Sequence, residues 1–132
     1  MPPLSIAQFI VASDHYLPDE LVAITGISPD AISNGDKNGQ RLTEKTYAIA
    51  LIQESPDPDC IKTMAQLWER IPQQIDGALL KTHQEIFPVI RLIEYSESNM
   101  PGCMLDTLWL NRLAKLGCEL SVEFYVLGSN DQ

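Results

Sequence analysis

From Cys60 onward, Ile61, Met64, Leu67, Trp68, Ile71, Ile75 and Leu79 return at the spacing of one helical face, and Pro72 stands inside the run. Apolar residues three and four apart line one side of an α-helix, and that side has to be buried. A proline within the run removes a backbone donor and clashes with the preceding turn. The pattern therefore predicts a kinked helix, or two helices with Pro72 opening the second.

Strands surround this helical stretch. Leu4 to Ser13 begins with alternation and becomes continuously apolar, as a strand covered on at least one face does. Pro18 suits a first helical position, Asp19 and Glu20 favour the positive end of a helix, and Gly26 provides a stop, so a short helix runs from Pro18 to about Thr25. Ala31 to Ser33 reads as a short edge strand, Asn34-Gly35 and Asn38-Gly39 as exposed turns, and Tyr47 to Ile52 as a central strand. Ser55 to Asp59 is a rigid polar linker ending in an N-cap.

Ile86 to Tyr95 is rich in β-formers, with Pro88 near its start, and Cys103 to Leu105 reads as a further short strand. Asp106 or Thr107 then caps a helix carrying Leu108, Trp109, Leu110, Leu113 and Leu116, which Gly117 ends. Leu120, Val122, Phe124 and Val126 alternate with Ser121, Glu123 and Tyr125, a last strand buried on one face only. The order is β-α-β-β-α-β-β-α-β. It predicts an α+β fold in which a mixed or mainly antiparallel sheet carries its helices mainly on one face. With 132 residues, 45% of them apolar, the chain reads as a single domain over residues 1–132.

Charge narrows the partners. Nine Lys+Arg against eighteen Asp+Glu leave a net charge of −9, and no basic residue precedes Lys37, whereas Asp14, Asp19, Glu20, Asp30 and Asp36 do. Phosphate-backbone binding needs clustered Lys/Arg, so neither nucleic acid nor an anionic membrane surface is an expected partner. A basic protein is. The longest strictly apolar run, Tyr47 to Ile52, is far too short to cross a bilayer, and Met1-Pro2-Pro3 lacks the positive start of a signal peptide. Cys60, Cys103 and Cys118 are odd in number, widely spaced and without histidines at zinc-ligand spacing, which reads as reduced thiols in a cytoplasmic protein.

Motifs that carry chemistry fail one by one. Asn34 to Gly39 places oxygen ligands as an EF-hand loop does, but Lys45 occupies the position of the bidentate glutamate. No glycine pattern cradles phosphate and no serine or cysteine stands in a nucleophile elbow, so no catalytic residue, metal or cofactor is assigned. His15 and His83 could each serve as a base: His15 stands between Asp14 and Tyr16 just after the first strand, whereas His83, at a helix end, is expected to meet terminal carbonyls. Tyr16, Tyr95 and Tyr125 fall at strand ends or on a polar face, where an amphipathic ring often marks an interface. Asp14, His15, Tyr16, Asp19, Glu20, Asp30, Asp36, Glu123 and Tyr125 are accordingly the candidate interaction residues.

The order of short motifs is also familiar. An N-terminal strand, Leu17-Pro18-Asp19-Glu20-Leu21, Thr25-Gly26-Ile27-Ser28-Pro29-Asp30, Gly35-Asp36, then Leu113 to Leu120 before Glu123-Phe124-Tyr125, resembles a bacterial family known as domain of unknown function 4279. The resemblance covers nearly the whole chain. Tyr47 stands where members often have tryptophan, and Glu123 where they have aspartate. The family implies no agreed activity. Small acidic domains of this kind are similar in size and charge to immunity proteins, which cover the active surface of a toxin, an analogy that assigns no residues.

Two classes of function are expected to compete. The leading one is a non-catalytic interaction module whose acidic face meets a basic protein. The other is a small enzyme or ligand-binding domain with a cleft near His15. A homodimer through an exposed strand edge is a third, structural reading.

Overall fold

The computed structural model describes residues 2–34, 47–97 and 102–128. The Asn34 to Gly39 turns lie outside them from Gly35 onward, as do Asp36 and Lys45. Five strands form one mixed sheet in the order β2-β3-β1-β4-β5: β1 (Leu4–Ser13), β2 (Ala31–Asn34), β3 (Tyr47–Ser55), β4 (Phe87–Ser96) and β5 (Glu119–Val126). β1 is central and antiparallel to both β3 and β4, β2 is antiparallel to β3, and only β4 and β5 run parallel. That parallel pair needs a crossover, which α4 (Thr107–Leu116) provides.

The helices α1 (Pro18–Thr25), α2 (Cys60–Trp68), α3 (Gly77–Thr82) and α4 all face the same side of the sheet. Leu21, Met64, Leu67, Leu80, Trp109 and Leu113 share a core with Ala7, Phe9, Val11, Ile49, Leu51, Ile90 and Leu92. The sequence punctuation works as its chemistry predicts. Asp59 accepts from the amides of Ile61 and Lys62, Asp106 accepts from Trp109, and Gly26 and Gly117 end α1 and α4 at φ 76° and 72°.

The α+β class, the mixed sheet and the one-sided helices are as expected, with two local differences. Cys103 to Leu105 is not a strand, because the segment leads straight into the Asp106 cap of α4: Leu105 packs on the core, and Met104 is 85% exposed. Nor does Pro72 open a helix. α2 ends at Trp68, the residue whose carbonyl a proline ring at position 72 would strike, and Pro72 starts a turn in which its own carbonyl accepts from Ile75 at 3.0 Å. α3 begins only at Gly77, capped by Asp76.

Candidate functional site

The candidate residues gather in two places that the sheet keeps apart. The first is the end of β1. Buried Ser13 accepts, through its hydroxyl, from the amides of His15 at 3.0 Å and Tyr16 at 2.9 Å, which turns the chain sharply out of the strand. His15 then meets Glu85, Nδ1 to Oε2 at 3.4 Å, and packs edge-on against Tyr16. The Tyr16 hydroxyl lies 3.4 Å from Nδ1 of His83, so one tyrosine joins both histidines of the chain. Beside them Glu20 accepts from the Leu17 amide at 3.0 Å, and Asp19 lies exposed in the first turn of α1.

This cluster is open to water. The side chains of His15 and Glu85 are 62% and 58% exposed, and the Ser13 hydroxyl beside them is buried and accepts from two amides. A base in bulk solvent beside no nucleophile has little to act on. Among the described residues no group of three His, Cys, Asp or Glu is placed to hold a metal ion.

The second place is the face of the sheet that none of the four helices covers. Alternation and register put Ile6, Gln8 and Ile10 of β1 there, with Ile52 and Glu54 of β3, Phe87, Val89, Arg91, Ile93 and Tyr95 of β4, and Glu119, Glu123 and Tyr125 of β5. Near its β5 edge, Arg91 Nε donates to Glu123 Oε2 at 2.5 Å, and the Tyr125 hydroxyl donates to Glu123 Oε1 at 2.7 Å. The rings of Tyr125 and Tyr95 stack with centroids 5.0 Å apart. The Arg91 and Tyr125 hydrogen bonds hold the Glu123 carboxyl below its ordinary value, and the same carboxylate raises Tyr125.

Tyr125 pairs with Tyr95, which pairs with Leu4, so this edge lies at the opposite end of β1 from Ser13. Nine steps of strand separate the two ends, about 30 Å. His15 and Tyr16 therefore do not converge with Glu123 and Tyr125 on one cleft. Asp30 stands apart again: its carboxylate accepts from the Ile52 amide at 2.8 Å and from Arg70 at 2.7 Å, and the two bonds lower its pKa. The acidic stretch read from the sequence thus divides, with Asp14, Asp19 and Glu20 at the strand end and Asp30 committed to an ion pair.

Sequence reading passed over Arg91 and Glu85. Arg91 could have been found from the two-residue period that places it on one face with Ile93 and Tyr95. Glu85 had no signal, since its partner His15 lies 70 positions earlier across a fold not yet known.

The class is now defined: a mixed five-stranded sheet backed by four helices on one side and uncovered by them on the other. The chain belongs to the DUF4279 family, a domain of unknown function, whose model matches residues 3–127. No curated protein and no solved structure matches it. No helix among the described residues is long and apolar enough to cross a membrane.

Proposed function

We propose that this protein is a non-catalytic interaction module that receives a basic protein on the uncovered face of its sheet. One observation carries the reading: the outward positions of the three middle strands are largely apolar. A solvated sheet face ordinarily alternates to polar residues, and a contiguous apolar patch with a polar rim marks a contact surface. Here half-buried Ile6, Ile10, Ile52 and Val89 occupy the middle beside buried Ile93, and exposed Phe87 continues them.

The rim supports the sign of the partner. Glu54 lies opposite Ile6, Glu119 opposite Val89 and Glu123 opposite Ile93, all on the same face. Carboxylates around an apolar centre favour a cationic surface and speed its approach. A second copy is the poorer occupant, because it would bring the same carboxylates and another net charge of −9. Immunity-type neutralisation of a basic toxin suits this chemistry, and free thiols at Cys60, Cys103 and Cys118 suit the cytoplasm.

The test is affinity capture from the native host at low and moderate salt, run in parallel with Ile10→Lys. Ile10 is half-buried on the open face, where a lysine can keep its ammonium in water, so the variant should fold. The wild type should retain a stoichiometric basic partner that moderate salt weakens, and the variant should retain none. Equal capture by both, or no partner at either salt, overturns the proposal.

A further inference from the structure

On the helix side of the sheet, a cleft of about 720 Å³ opens between α3, α4 and the start of β4. Its volume falls in the usual range for small-molecule sites. Leu80, Ile86, Pro88 and Leu116 give it apolar walls, and Lys81 and Lys115 stand on it, both exposed.

These two lysines differ from the other cations of the described residues. Lys62 pairs with Asp57, Arg70 with Asp30 and Arg91 with Glu123, while Arg112 lies over the rings of Trp68 and Trp109. Among the described residues neither Lys81 nor Lys115 has a carboxylate or ring partner, although acids outnumber bases two to one in the chain. The carboxylate that does line the cleft, Asp76, is engaged as the cap of α3, accepting from the Leu79 amide at 2.8 Å. The walls are also held close: a Cβ at Gly77 would come within 2.5 Å of the Lys115 carbonyl oxygen, so α3 and α4 touch through backbone.

We propose that this cleft binds a small amphipathic carboxylate, its head between Lys81 and Lys115 and its chain against Leu80, Ile86 and Leu116. In a protein of net charge −9, anions are disfavoured over most of the surface, and two ammonium groups against the single carboxylate of Asp76 leave this cleft with a local excess of positive charge. An apolar tail explains why the cations border a hydrophobic hollow rather than a hydrated patch. The proposal is independent of the sheet face.

Isothermal titration with octanoate, and with octanol as its neutral counterpart, tests it on the wild type and on a Lys81→Gln, Lys115→Gln double variant. Both lysines are exposed, so the variant should melt as the wild type does. Octanoate should bind the wild type about tenfold tighter than octanol, and that preference should vanish in the double variant. Ala114→Trp, placed on an exposed lining position, should abolish binding of both. Octanoate binding no tighter than octanol, a preference that survives in the double variant, or no heat with either ligand overturns the proposal.

Discussion

The two faces of β1 carry side chains of similar character and have opposite fates. Ser5, Ala7, Phe9, Val11 and Ser13 are buried beneath helices, while Leu4, Ile6, Gln8, Ile10 and Ala12 remain half-accessible on the other side. The covered face is not the more hydrophobic one. Its small residues let α2 approach, and Ser5 joins Thr63, hydroxyl to hydroxyl, at 2.5 Å and donates to the Asp57 carbonyl at 2.6 Å. Burial here is selected by fit as much as by apolarity. The open face keeps bulky apolar groups that no described helix needs, which is why it is read as a contact surface.

Truncating neighbours on the two faces should break or sharpen that contrast most directly. Phe9→Ala, at a fully buried ring, should cost about 3–5 kcal/mol in a urea melt, and Ile10→Ala under about 1 kcal/mol. Equal losses would mean that the open face is as much core as the other. Next in size, Gly77→Ala drives a methyl against the Lys115 carbonyl and should destabilise by about 1–3 kcal/mol, since backbone must move. Asp106→Ala removes the cap of α4 and should cost about 1 kcal/mol, lowering the melting temperature without altering the open face.

Thiols separate core from surface by chemistry. Burial pushes the Cys60 thiol far up, helped by Glu94 and Cys103, and burial lifts Cys118 from 9.0 to about 11. Exposed Cys103 should therefore react first with a disulfide reagent, Cys118 slowly and Cys60 only on unfolding. Because the folded pKa of Cys118 is raised, its contribution to stability is complete below about pH 9 and is lost as pH rises through about 11. A urea midpoint that stays level across that interval would contradict its burial. The smallest effect belongs to the rim: Glu123→Gln, at a half-exposed ion pair, should lower the melting temperature least of these variants while weakening capture of a basic partner.

Much of the fold was legible because it is written in local punctuation. Pro18 and Gly26 bound α1, Asp59 and Asp106 cap α2 and α4, and the alternation from Leu120 to Val126 announces a one-faced strand, all without tertiary knowledge. The Cys103 to Leu105 strand failed because a strand exists only where a neighbour pairs with it, a property of the sheet and not of the segment. The candidate sites were less legible for the same reason. Arg91 finds Glu123 only through the register that α4 imposes on two parallel strands, and His15 finds Glu85 only where β1 ends beside β4. Alternation told that β1 has two faces, and nothing in Leu4 to Ser13 told which one the helices would take.

The central place of β1 has a consequence for how the chain is made. Its ladder partners, Tyr47 to Ser55 and Phe87 to Tyr95, leave the ribosome long after it, the second by roughly five to fifteen seconds at ordinary synthesis rates. Through that interval β1 is an apolar strand with both edges unsatisfied, the kind of segment that seeks a neighbour on another chain. The position that organises the finished sheet is thus the one most exposed to misassembly at birth, and yield at high expression should depend on chaperone supply more than on the stability of the folded state.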